Sequence, residues 1–126
     1  MAIVQISTGL GDFVIELFPD RAPKSVENFL RYVREGFYQQ TLIYRVISNF
    51  IIQGGGFGPG MIQKPSYPPI QNEAKNGLRN TRGTVAFART NNPHSATSHF
   101  FVNLNDNDFL NYTSPTPEGW GYCVFG

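Results

Sequence analysis

The chain has 126 residues, ten basic against nine acidic, with a formal net charge of +1 and one cysteine. That is the size of a single domain spanning 1–126. Leu, Ile, Val and Phe fill more than a quarter of it, above the roughly 20% below which chains tend to stay disordered. Scattered charges build no positive stripe for nucleic acid or an anionic membrane, no strictly apolar run is long enough for a membrane helix or signal-peptide core, and the lone Cys123 points to a reducing, cytoplasmic setting.

Ala2 to Ser7 alternates with β-branched residues, Gly9 to Asp12 interrupts, and Phe13 to Phe18 resumes, which predicts a β-hairpin. Pro23 then suits the first turn of a helix. Val26, Phe29, Leu30 and Val33 follow at helical spacing, Glu27 and Arg31 form an i, i+4 pair, and Gly36 supplies a stop. Thr41 to Val46 and Phe50 to Gln53 read as short strands, the second ending at Gly54-Gly55-Gly56. Residues 54–82 hold no period and read as a long loop, a feature that is usually functional in so small a domain. Thr84 to Ala88, His99 to Leu104 and Tyr122 to Phe125 complete the strands. Short strands around one helix predict a mainly β fold, a barrel or sandwich with a helical cap.

The obvious chemistries fail on spacing. No Lys-Ser/Thr and no helical pattern follow the three glycines, so a turn needing positive φ is the better reading than a phosphate loop. His94 and His99 lie five apart across a loop boundary, which suits no metal site; Ser95 and Ser98 sit in no nucleophile elbow. The sequon Asn111-Tyr112-Thr113 carries no meaning without secretion, and Cys123 reads as a small core residue. Arg45 stands out within Leu42-Ile43-Tyr44-Arg45-Val46. It is either a solvated residue on an edge strand or a cationic fork held over an apolar pocket, where partial dehydration strengthens its hydrogen bonds.

Tyr44-Arg45-Val46-Ile47, Phe50-Ile51-Ile52-Gln53-Gly54-Gly55-Gly56, Phe87-Ala88-Arg89-Thr90, Ser95-Ala96-Thr97-Ser98-His99-Phe100-Phe101-Val102 and Trp120-Gly121-Tyr122-Cys123-Val124-Phe125-Gly126 resemble the signature of the cyclophilin peptidyl-prolyl isomerases. Asn72-Glu73 and Asn80-Thr81-Arg82-Gly83 sit in the expected places, and Phe109 with Tyr122 is similar to the cytoplasmic bacterial branch. The resemblance implies an antiparallel β-barrel with a capping helix and an isomerase without a cofactor or metal. Its partners would be proline-containing peptides and unfolded proteins. It implies Arg45, Gln53 and Phe50 as catalytic residues, and Ile51, Ala88, Arg89, His99, Phe101, Phe109, Leu110 and Tyr122 as the substrate-binding set, with the backbone of Ala88 and Arg89 pairing with the peptide.

Three departures from that pattern carry expectations. Ile51 replaces a common Met with little effect. His99 replaces a Gln, which predicts substrate affinity that varies between about pH 5 and 8. Family members continue past Gly126 into a helix and a last strand that closes the barrel. An incomplete barrel with an open edge is therefore expected, along with strand-exchange self-association or, as alternatives to catalysis, a proline-peptide binding module or an inactive fragment. Phe109 in place of a Trp predicts weak cyclosporin binding, for want of an indole N–H.

Overall fold

The alternating opening run folds as expected. In a computed structural model that describes residues 2–126, β1 (Ala2–Thr8) pairs antiparallel with β2 (Gly11–Leu17) in unbroken register from Ala2↔Leu17 to Thr8↔Gly11. The Thr8 hydroxyl closes the turn, accepting from the Leu10 N–H at 3.2 Å and donating to the Gly11 carbonyl at 2.7 Å. Alternation then sorts the two faces: Ile15 and Leu17 are buried, whereas Ile3 and Val14 face outward.

Helix α1 (Pro23–Arg34) begins on its proline, as the spacing predicts, and Gly36 follows with φ 69°. Two details differ. The buried stripe is Ser25, Val26, Asn28, Phe29 and Tyr32, with Leu30 and Val33 only half-buried, so the face is rotated toward the N-terminal side of the expected one. Glu27 pairs with Arg34 at 3.0 Å rather than with Arg31, whose guanidinium lies 3.5 Å from the centre of the Tyr67 ring. That contact and the Tyr67 hydroxyl bond to Glu35 draw Arg31 off the pair. The helix has no side-chain cap of its own. Glu73 supplies it from a distant loop, its carboxylate accepting from the Lys24 N–H (3.2 Å), the Ser25 N–H (2.7 Å) and the Ser25 hydroxyl (2.8 Å).

The remaining strands are β3 (Ile43–Ile47), β4 (Ile51–Gly54), β5 (Phe57–Gly58), β6 (Ile62–Gln63), β7 (Val85–Phe87) and β8 (Phe100–Asn103). β5 and β6 form a small ribbon; the others make one antiparallel sheet in the order β3–β4–β8–β7. The stretch 54–82 is therefore not structureless. It holds the ribbon, turns of 3-10 helix at Pro59–Met61 and Ala74–Asn76, and a bridge from Ile70 to Ala96. Tyr122 to Phe125 runs beside β7 as a single-bridge strand, with bonds Val85 N–H to Gly126 (2.9 Å) and Phe125 N–H to Val85 (3.0 Å). On its other side, Phe18 donates to the Phe125 carbonyl at 2.9 Å. This segment joins the hairpin to the sheet.

The result is a curved, mainly β structure whose sheets do not close among the described residues: β1 pairs only with β2, and β3 only with β4. Alternation gives the sheet two apolar faces. Val85, Phe87, Phe100 and Phe125 pack on one side with Phe29 and Val26 of α1. Ala86, Phe101 and Val124, their neighbours in sequence, point to the other side and meet Ile51 and Leu110.

Candidate active site

The second apolar face carries the site. Directly paired residues of an antiparallel sheet project to the same side, so the pairings Arg45↔Gln53, Gln53↔Phe101, Ala86↔Phe101 and Ala86↔Val124 form one row across the sheet. Ile51, two residues before Gln53, shares that face. Ile51, Ala86, Phe101, Leu110 and Val124 form its buried floor, while Phe50, Leu78, Ala88 and Tyr122 pack half-buried around it. Phe101 meets the Tyr122 ring edge-on at 5.7 Å. Phe109 is exposed and stacks on Phe50 at 5.7 Å, making an apolar rim.

At the polar end stands Arg45. β3 is an edge strand and Arg45 is exposed on it, so the solvated-edge description holds for its environment, while its register puts it in the row with Gln53 and Phe101. It belongs to neither ion pair among the described residues, which are Glu27–Arg34 and Arg79–Asp108. A β-bulge between Ile43 and Arg45 inserts Tyr44 as an extra residue beside it.

Gln53 donates to the Tyr44 hydroxyl at 2.6 Å, and that hydroxyl bonds His99 Nδ1 at 2.8 Å. His99 is half-buried against Phe57, whose ring centre is 5.1 Å away edge-on, and burial pushes its pKa down. The three glycines explain how it fits. Gly55 has φ 95° and needs its conformation, whereas Gly56 is held by space: a Cβ there would lie 1.9 Å from His99 Nε2. Gly54 is likewise a close approach, to the Leu42 carbonyl and Ile43 at 2.8 Å, so the positive-φ reading applies to only one of the three.

Ala88 and Arg89 divide their roles. The Ala88 N–H is taken by the His99 carbonyl at 3.0 Å. The Arg89 side chain is pinned, donating to the carbonyls of Gly121, Thr90 and Pro117 at 2.9, 2.8 and 3.1 Å and lying 4.7 Å over the Tyr122 ring. It therefore fixes the Tyr122 wall.

A buried asparagine frame, absent from the sequence reading, holds the walls in register. Asn80 is fully buried and donates to the carbonyls of Leu110 and Tyr122, both at 3.1 Å, while its own oxygen accepts from Asn103 at 3.0 Å. Asn103 accepts from Asn107 (2.8 Å), and Asn107 donates in turn to the Phe50 carbonyl at 3.0 Å. Three pocket-wall residues thus hang from three amides. Asn103 lies within the expected strand His99 to Leu104 and Asn107 is not singled out; the one hint is how many asparagines crowd 103–107.

Among the described residues, no three His, Cys, Asp or Glu side chains gather closely enough to hold a metal. Cys123 is a buried core residue beside the Ser25 hydroxyl at 3.3 Å, and burial pushes its thiol up to about 11. What remains is an apolar floor, an exposed guanidinium at one end and an amide–phenol–imidazole chain beside it. These groups can bind and polarise a substrate; none is arranged as a nucleophile.

Residues 3–126 match the family described as cyclophilin type peptidyl-prolyl cis-trans isomerase/CLD. The chain is 60% identical over 123 residues to peptidyl-prolyl cis-trans isomerase B of Escherichia coli (strain K12), covering 98% of this chain and 75% of that protein. It is 62% identical over 126 residues to peptidyl-prolyl cis-trans isomerase cyp18 of Streptomyces antibioticus, covering 100% and 76%. In three dimensions it is similar to a Cryptosporidium parvum cyclophilin-type peptidyl-prolyl cis-trans isomerase crystallised in the presence of the dipeptide Ala-Pro. That likeness has a TM-score of 0.81 and 30% identity, over 98% of this chain and 75% of the other.

Proposed function

The chain belongs to the cyclophilin-type peptidyl-prolyl cis-trans isomerases, and from that premise we propose how its own residues turn an Xaa-Pro bond. The activity itself follows from the family and from relatives at 60% identity named as that enzyme; a non-catalytic binding module is not favoured. The barrier is amide resonance, about 18–20 kcal/mol, and the uncatalysed exchange takes tens to hundreds of seconds. A turnover near 10³ per second asks for roughly 10⁵-fold acceleration, about 7 kcal/mol.

The proline ring sits on the floor of Ile51, Phe101 and Leu110, with Phe50, Phe109 and Tyr122 around it. Arg45 donates to the prolyl nitrogen, a bond that gains strength only as the nitrogen pyramidalises and its lone pair leaves conjugation. Gln53, across the strand from Arg45, supports the guanidinium or the substrate carbonyl. Arg89 N–H and the carbonyls of Ala88 and Arg89, which make no hydrogen bond among the described residues, hold the preceding residue by strand-like pairing. The observation that carries this is the row Arg45–Gln53–Phe101 on the apolar face that α1 does not cover.

Proline-containing segments of unfolded proteins are the proposed substrates, in the cytoplasm, and folding assistance is the proposed role. Self-association through the outer edge of β1 belongs to the same proposal. Its support is the unpaired edge among the described residues and the exposure of Ile3 and Val14 on that hairpin. Arg45→Ala tests the mechanism in an Ala-Pro peptide isomerisation assay. With an unchanged fold, turnover should drop about 10²-fold, the scale of losing one donor aimed at developing charge, and Arg45→Lys should not restore it. Full activity in Arg45→Ala would refute the assignment.

A further inference from the structure

Tyr44 is assigned no part in the reaction above, yet its hydroxyl hydrogen-bonds both Gln53 and His99. A phenol has one proton; Gln53 donates its N–H to the Tyr44 oxygen, and with His99 neutral, the form burial favours, the phenolic proton can go to His99 Nδ1. That requires a neutral imidazole whose own proton is on Nε2, the atom over Gly56. The chain then reads amide N–H to phenol to imidazole, and the Gln53 oxygen is the end that Tyr44 does not hold.

Protonating His99 reverses the chain. Nδ1 becomes a donor to the Tyr44 oxygen, the phenolic proton needs a new acceptor, and a half-turn of the Gln53 amide brings its oxygen round to provide one. The amide nitrogen is then the free end, and Arg45 is the cross-strand partner of Gln53, so a donor replaces an acceptor beside a cation. We propose that Tyr44 is a positioning residue of the isomerase site, a relay through which the proton on His99 sets which end of the Gln53 amide is presented beside Arg45. The inference rests on the role of Gln53 given above.

The surroundings favour a two-state element. Tyr44, Phe57 and His99 pack as three mutually edge-on rings at 4.8–5.6 Å, so the imidazole cannot swing away cheaply. From β3, Tyr44 and Arg45 are the titratable or charged groups facing the chain. From the β5–β6 side there is Lys64, whose ammonium is turned to the Phe37 carbonyl. No carboxylate pairs with His99 among the described residues, since the ion pairs lie elsewhere. Burial is then the main influence on His99 and favours the neutral form, the state drawn above.

The test follows the Gln53 side-chain amide by ¹⁵N–¹H NMR from about pH 5 to 8, together with kcat/KM on an Ala-Pro peptide, in the full chain and in Tyr44→Phe and His99→Gln. In the unmodified chain, the Gln53 NH₂ resonances and kcat/KM should titrate together, activity falling about fivefold on acidification, the worth of one hydrogen bond. In Tyr44→Phe, His99 should still titrate while Gln53 and kcat/KM no longer follow it; in His99→Gln both should be flat. Gln53 resonances that stay fixed while His99 titrates in the unmodified chain would overturn the relay, as would an unaltered profile in Tyr44→Phe. If Gln53 titrates but its replacement by Ala leaves turnover intact, the relay stands and the role of Gln53 in the site falls.

Discussion

Gly56→Ala isolates the packing of His99 better than any substitution of His99 itself. The glycine is not in the left-handed region, so its backbone accepts alanine; the obstacle is a Cβ 1.9 Å from His99 Nε2, where ordinary contact begins at 3.4 Å. The ring must retreat by the difference. Doing so forfeits the Tyr44 bond, worth about 0.5–1.5 kcal/mol. It also loosens edge-on contacts with Phe57 and Tyr44, about 0.5–1.5 kcal/mol each. Together the loss should be about 2–3 kcal/mol, the usual scale of overpacking. In a His99→Ala background the same change meets no ring. It should then cost less than about 0.5 kcal/mol, and a reduced unfolded-state entropy makes it neutral or slightly favourable. Urea unfolding of the four proteins of this double-mutant cycle gives the coupling energy directly. Gly55→Ala is the control, since φ 95° and the Ser98 carbonyl at 2.8 Å are backbone obstacles that losing His99 does not relieve. A Gly56→Ala protein as stable as the parent, or one whose loss persists without His99, would refute the reasoning.

Asn80→Ala should destabilise the fold by about 3 kcal/mol, since all four of its side-chain bonds go and the Tyr122 carbonyl is left in the interior; a thermal melt measures it, and a raised KM for peptide should accompany it. Stability should also depend on pH through His99. Its folded pKa lies below the unfolded value of about 6.5, so the unfolded chain binds the proton more readily. This contribution is complete at neutral pH and declines as pH falls through that value toward the folded one; urea melts at neutral and acidic pH should show a smaller loss in His99→Gln. Cyclosporin should bind weakly, because exposed Phe109 offers no N–H; in a calorimetric titration Phe109→Trp should tighten it about tenfold, the worth of one good hydrogen bond.

Where local rules decide the structure, the residues told it. The hairpin and α1 follow from period and from Pro23 and Gly36, because each needs only neighbours in the chain. The pocket residues became visible through family resemblance, since Ile51, Phe101 and Leu110 look like any core when read singly. Long-range polar contacts stayed hidden. Glu73 caps a helix 48 residues before it, and Asn80 reaches Leu110 and Tyr122, 30 and 42 residues on. Tyr44 was obscured by the bulge, which shifts alternation by one residue just where Arg45 must be placed.

The strand at 123–126 wedges between β7 and the end of β2, and so sets the order in which the molecule can be assembled. The hairpin is made before every other described element, yet the segment that ties it to β7, through the Phe18 bond to Phe125, is the last of the described residues to appear. Until then Ile15 and Leu17 of β2 lack the cover that the 123–126 segment brings. While these described residues are being made, a nascent enzyme of this design is an unfinished client of the kind it is proposed to assist.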